Sequence, residues 1–319
     1  MENNIVYHYC TVETFLNIIR NHTLRLSDLC SSNDKAEMKI LLGDLENEIL
    51  NQYRKREDFL ETVIYGMDVD ESFEFILKRV ISKMDNNINQ MLFGICFSEK
   101  GDLLGQWREY ADKGTGIAIG FNLEWLQKLS NNNFLKFSKV NYEYSKDSTL
   151  IKEHAFQIYC EIIRAIENGK TKELIDESRY LPYMISLQKE CLFFESVFQK
   201  GKEYKSEEEW RLILDDEETR KDYPEWNIYY NWKNKDLSFR KEKINSLIPN
   251  GMEFMVKSGR IIPYLDLKLD IDKNNLPIEK VIVGPNCKVN ILDIYHLLQF
   301  YEFDADEIEI EKSKSSYRI

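Results

Sequence analysis

Three groups of residues in this 319-residue chain have the types and spacing that chemistry uses. The first is Ser206-Glu207-Glu208-Glu209-Trp210-Arg211-Leu212-Ile213-Leu214. Read as a strand, its period-two alternation puts Glu207, Glu209 and Arg211 on one face, with Trp210, Leu212 and Leu214 on the other, toward a core. Two carboxylates held close raise one pKa, and a guanidinium beside them lowers it again. Such a set serves as a poised acid or an electrostatic clamp, whereas a solvated edge strand carries the same letters with no task. The second group is Tyr7-His8-Tyr9, where His8 faces away from the two tyrosines, toward Val6 and Cys10. A lone strand histidine is usually structural, but this one lies just before a capped helix, where ligand sites tend to form. The third is Ser27 with Asn33, Asp34 and Glu37, of which Asn33 and Asp34 also read as ordinary helix caps.

Trp107-Arg108-Glu109-Tyr110, followed by Lys113-Gly114-Thr115-Gly116, forms a fourth stretch. Trp107 and Tyr110 stand three apart on one helix face, the spacing of core packing. A GxG without a third glycine or a following helix is no dinucleotide fingerprint. No GxxxxGK[ST], GxSxG or HExxH occurs, so P-loop hydrolysis, the serine-hydrolase elbow and the zincin site lack support. The six cysteines form no CxxC pair, and the four histidines have no zinc-type spacing. Buried free thiols in a reducing cytoplasm are the expectation. With 43 Lys plus Arg against 55 Asp plus Glu, the net charge of −12 argues against a strong non-specific nucleic-acid binder or a membrane-surface binder. No apolar run reaches the length of a membrane-spanning helix, and the N-terminus does not read as a signal peptide.

The elements that must position these groups follow from periodicity. Ile5–Cys10 reads as a strand, and Thr11 caps a helix whose Val12, Phe15, Leu16 and Ile19 share one face. Leu24–Ser27 is a second strand. Helical text fills 36–90, and a second helical block fills 148–199. Strands are expected at Phe93–Phe97, Gly116–Phe121, Lys139–Tyr144, Glu207–Asp215, Ile261–Leu269, Lys280–Val283 and Glu307–Glu311. Short helices are expected at Asp102–Tyr110 and Glu124–Leu129, and a longer one at Asn290–Tyr301. Asp222–Asn234, rich in Tyr and Trp, reads as a loop packed by its own aromatics. Strands spread along the chain with helical blocks between them favour one α+β domain over 1–319, with insertions at about 36–90 and 148–199.

On these residues the chain resembles a bacterial family known as domain of unknown function 2971. The resemblance runs nearly end to end. It rests on Val6-Tyr7-His8-Tyr9, Ser32-Asn33-Asp34 with Glu37, Phe97-Ser98, Trp107–Tyr110 with Gly116–Phe121, Glu207-x-Glu209-x-Arg211, Val283-Gly284-Pro285 and Tyr317-Arg318. The family label supplies no activity. A second, weaker resemblance is to ADP-ribosyltransferases, in which a first strand carries His or Arg, a helix and short strand follow, and a late strand or its preceding loop carries Glu, often as ExE. It implies an ADP-ribosyltransferase-like mixed sheet core and NAD as co-substrate.

In that resemblance Glu209 holds the nicotinamide ribose and stabilises the oxocarbenium-like transition state, Glu207 orients or deprotonates the acceptor, and His8 holds the adenosine-side ribose. Ser27 supports the site, Tyr9, Trp107 and Tyr110 are the candidates to stack on nicotinamide, and Arg25, Arg108 and Arg211 could hold a phosphate. The implied activity is that of an intracellular effector or phage-defence toxin that modifies a protein or nucleic acid, with an antitoxin or other protein partner in view. Two other classes stand beside it. One is a non-catalytic interaction module on the same fold. The other is a metal-dependent phosphodiesterase using Asp34, Glu37, Glu207 and Glu209.

Overall fold

The computed structural model describes residues 4–29, 35–55, 69–87, 92–130, 135–143, 149–167, 197–214, 247–257, 259–269 and 277–317. The described elements are mixed α and β, built on a ten-stranded, mostly antiparallel sheet. The first strand β1 is Ile5–Cys10. Helix α1 (Val12–Asn21) starts at Thr11, whose hydroxyl accepts from the Thr14 amide, and buries Phe15, Ile18 and Ile19. It ends at His22, which takes the left-handed conformation (φ 51°, ψ 47°) that usually falls to glycine. The His22 ring is fixed there by the Tyr301 carbonyl at 2.8 Å and the edge of Phe303. Strand β2 (Thr23–Asp28) follows directly.

Helices α2 (Lys35–Arg54) and α3 (Val69–Asn87) fall in the first helical block expected from sequence, and α6 (Thr149–Glu167) opens the second. They pack together through Leu45, Ile49, Phe73, Ile76, Ile151 and Ile158, with Tyr53 stacked on Phe73. The remaining strands are β3 (Phe93–Ser98), β4 (Ile117–Asn122), β5 (Leu135–Lys139), β6 (Glu209–Leu214), β7 (Met252–Lys257), β8 (Arg260–Lys268), β9 (Ile278–Val283) and β10 (Glu309–Lys312). Helices α4 (Leu104–Glu109), α5 (Leu123–Ser130) and α7 (Ile291–Phe300) complete the set.

Three expectations need correction. The strand expected at Lys139–Tyr144 lies earlier, at Leu135–Lys139, because that run pairs with β6, from Leu135↔Leu214 to Lys139↔Trp210. Asn141 makes only an isolated bridge to Gln199. Strand β6 begins at Glu209, since Glu207 belongs to a short 3-10 helix over Lys202–Glu207. Strand β7 has no counterpart in the sequence reading. Asn33, Asp34 and the Asp222–Asn234 loop lie outside the described residues, as does the side chain of Glu37.

The sheet runs β10-β9-β4-β1-β3-β2-β8-β7, with β6 also on β3 and β5 on β6. Strand β3 therefore has three neighbours. Strand β6 covers one edge from Gly94 to Ser98. The other edge is shared, with β1 meeting it at Tyr7↔Ser98 and β2 at Ser27↔Gly94 and Asp28↔Phe93. Between those contacts β1 and β2 part. One sheet face carries the main core, including Val6, Phe93, Ile95, Phe97, Leu212 and Leu214. The opposite face is covered near β6 by the α2–α3–α6 cluster, which Ile213 joins, and near β1 by Trp107 of α4 over Tyr7 and Tyr9.

Candidate functional site

The expected ExExR cluster forms, with strand alternation aligning Glu209 and Arg211 and a different device bringing in Glu207. Glu208, between the 3-10 turn and β6, takes the left-handed conformation at φ 44°, an uncommon position for a residue with a Cβ. This reversal lets Glu207 and Glu209 converge on one ammonium. Lys200 Nζ lies 2.8 Å from Glu207 Oε2 and 3.3 Å from Glu209 Oε2. Arg211 holds Glu209 in a two-point fork, with Nε at 2.8 Å from Oε1 and Nη2 at 3.0 Å from Oε2. Its remaining arm donates to the Val197 carbonyl at 2.7 Å.

The cluster is interior. Lys200, Glu209 and Arg211 are 5, 6 and 3% exposed, so they do not form the solvated edge that charge alone would suggest. Two acids face two bases, giving a formal sum of zero, the condition under which buried charges are tolerated. Burial pushes the Glu209 carboxyl up, but Arg211 first, then Lys200 and the Cys96 thiol, outweigh it and hold the group below its ordinary range. The backbone of Glu209 is also fully engaged. Its amide donates to the Tyr142 hydroxyl at 2.8 Å, and its carbonyl accepts from Val140. Burial pushes that tyrosine's own pKa up to about 12.

Register fixes which residues share this face. Directly opposed residues point the same way, so Tyr7, Ser98 and Glu209 form one row across β1, β3 and β6. Ser98 stands in the middle of the row, its hydroxyl donating to the Glu207 carbonyl at 2.6 Å and accepting from the Lys100 amide. Toward the rim, Lys100 pairs with Glu208, while Glu99 takes Lys139 and the Trp210 indole N–H.

His8 is one residue out of phase with that row and belongs to the opposite face, beside Val6 and Cys10. Its ring meets the edge of Phe97, and its Nδ1 donates to the Cys96 carbonyl at 3.0 Å. That bond reaches β3 where β1 and β2 have parted, so the imidazole occupies the gap in the sheet. His8 and Glu209 thus flank the same strand from its two edges without sharing a face.

Other candidates are dispersed. Ser27 opposes Gly94, four residues along β3 from Ser98. It is separated from Glu209 by about 13 Å along the strands and about 10 Å across them. Arg25 is committed elsewhere, with its fork on Asp266 at 2.9 and 3.1 Å and its guanidinium 3.6 Å from the centre of the Tyr264 ring. Tyr9 and Trp107 are buried and meet edge to face at 4.8 Å. The Tyr9 hydroxyl bridges the Lys100 carbonyl and the Leu103 amide, and the Trp107 N–H donates to Asp102. Both are core residues, which leaves Tyr110, 49% exposed at the end of α4, as the accessible aromatic of the three.

Sequence reasoning missed Lys200. Nothing in its neighbourhood separates it from surface lysines such as Lys202, because its burial comes from partners seven and nine positions away. Ser98 entered only within the family resemblance, and its position opposite both Tyr7 and Glu209 is a property of register. Among the described residues no three His, Cys, Asp or Glu side chains gather into a group that could hold a metal ion, and no helix is long and apolar enough to cross a membrane. Cys10, Cys96, Cys160 and Cys287 are not in disulfides.

No curated protein and no solved structure matches the chain. The segment from α4 to β6, residues 106–212, which carries Lys200, Glu207, Glu209 and Arg211, matches the model of the family described as Protein of unknown function (DUF2971).

Proposed function

We propose that the protein is an ADP-ribosyltransferase-like enzyme that uses NAD to modify a macromolecular acceptor. The observation that carries this reading is the arrangement around β3. The histidine-bearing first strand and the late strand that opens at Glu209 flank one strand, whose Ser98 lies opposite Glu209. Cleaving the nicotinamide–ribose bond develops positive charge on the sugar, and a carboxylate fixed in advance stabilises that charge more than the ground state. The 3-10 turn and the left-handed Glu208 hold Glu207 and Glu209 in place before any ligand arrives. His8, with its Nδ1 proton committed to Cys96, offers an imidazole of fixed tautomer at the break in the sheet.

The test is nicotinamide release from NAD by purified protein, with and without cell lysate as a source of acceptor. Wild type is expected to consume NAD. Glu207→Gln and Glu209→Gln are expected to stop consumption while the far-ultraviolet dichroism stays native. Wild type that neither binds NAD by calorimetry nor consumes it with lysate present refutes the reading.

One observation favours a second reading, a non-catalytic interaction module. Glu209 is neutralised from two sides and almost wholly buried, as expected of a carboxylate that serves the fold. In that case a captured partner stays bound to Glu207→Gln and His8→Ala, and NAD is untouched by every variant.

A further inference from the structure

The far end of the sheet carries an anomaly for a soluble surface. Among the described residues β7 is the last strand of the sheet and pairs only with β8. Natural edge strands are usually blunted by bulges, prolines or central lysines. This one keeps an unbroken six-pair register with β8, from Met252↔Leu265 to Lys257↔Arg260. It also exposes apolar side chains. Phe254, Val256 and Ile261 are 57, 77 and 72% exposed, and Val256 lies directly opposite Ile261. Together they form one patch on a single face of the hairpin.

The strand Met-Glu-Phe-Met-Val-Lys is complementary to itself when run antiparallel. With Met255 opposite Met255, Phe254 falls opposite Val256 and position 253 (Glu) opposite position 257 (Lys), each twice. Shifting the centre by one residue in either direction breaks the charge match. We propose that β7 pairs with the β7 of a second copy of this chain, antiparallel about a twofold axis through Met255, joining two sheets edge to edge. The pairing is isologous, so it closes at two copies. It covers Phe254 and Val256 with their counterparts and supplies hydrogen-bond partners along the outer backbone edge. The occupant is another copy because the edge selects its own sequence by charge as well as by apolar contact.

The experiment uses the full chain. Wild type is expected to sediment as a dimer at micromolar concentration. Val256→Lys, a change at an exposed position, is expected to weaken the dimer about tenfold or more while thermal unfolding stays native. Glu253→Lys does the same, and Glu253→Lys with Lys257→Glu restores the dimer. Met255→Cys gives a covalent dimer on mild oxidation, because opposed residues in an antiparallel pair lie within disulfide reach, whereas Phe254→Cys does not pair with itself. A wild type that stays monomeric overturns the proposal, including one that instead sediments with phosphatidylcholine or phosphatidylglycerol vesicles. A dimer that ignores both Val256→Lys and the charge swap overturns it too, since it then forms through another surface.

Discussion

Replacing Arg211 with methionine isolates what the buried cluster contributes. The change keeps most of the side-chain volume but removes the fork on Glu209 and the donor to the Val197 carbonyl. Glu209 remains buried, sharing Lys200 with Glu207, and one charge is left uncompensated. Breaking a buried pair from one side costs about 3–5 kcal/mol, and the orphaned carbonyl places this case toward the upper end. Urea unfolding followed by tryptophan emission measures the loss. Glu209→Leu combined with Arg211→Met removes both partners, and its cost is expected to fall below that of Arg211→Met plus Glu209→Leu taken singly.

The same pair sets a pH signature. The folded Glu209 carboxyl is held below its ordinary value of 4.5, so the unfolded chain takes up the proton first as pH falls. The stabilisation is complete above that ordinary value and drains away as pH drops through the depressed folded one. Wild type is therefore expected to lose stability over that acid window with a steeper slope than Arg211→Met. A loss under about 1 kcal/mol in Arg211→Met, or an unchanged acid slope, refutes the assignment of the pair as a structural pin.

Asp102→Ala tests how the C-terminal segment is held. One carboxylate accepts from the Trp107 indole at 2.6 Å, the Ser313 hydroxyl at 2.5 Å and the Lys314 amide at 2.7 Å. Its removal is expected to speed hydrogen exchange at the Lys314 amide and to cost about 1 kcal/mol in urea. Gly116→Ala is expected to be severe, because a Cβ there would meet the Cys10 carbonyl oxygen at 2.1 Å and the backbone would have to move. A thermal midpoint within a degree of wild type would contradict that packing.

Much of this fold is legible where local signals and burial agree. The Thr11 cap, the Phe15–Ile19 stripe and the apolar run of β3 appear where periodicity puts them. Reading failed where the deciding partner is remote. Strand β7 escaped the reading because Phe254 and Val256 are exposed, so burial stamped no clean alternation on it. Glu207 looks like a strand residue until Glu208 reverses the chain. The ExExR letters located the cluster but could not tell a solvated face from an interior one, because Tyr142 closes it from a segment distant in sequence and Lys200 from beyond the 3-10 segment. For the same reason the sequence alone did not reveal that His8 and Glu209 flank one strand on opposite faces of the sheet. Phase across three strands depends on register, which no single segment encodes.

The triple pairing of β3 also governs the order in which the chain can mature. Its neighbours come from residues 5–10, 23–28 and 209–214, so one flank is satisfied by early sequence and the other only by late sequence. During synthesis the β6 side of β3 stays unpaired while more than a hundred further residues are made, an interval of roughly 6–20 s at ribosomal speed. Contacts of such long range slow folding, and an open apolar strand over that time invites misdirected pairing. The segment that closes the flank also brings Glu207, Glu209 and Arg211. Closing this flank of β3 and assembling the candidate site are therefore a single event, and a nascent or truncated chain lacking β6 has neither.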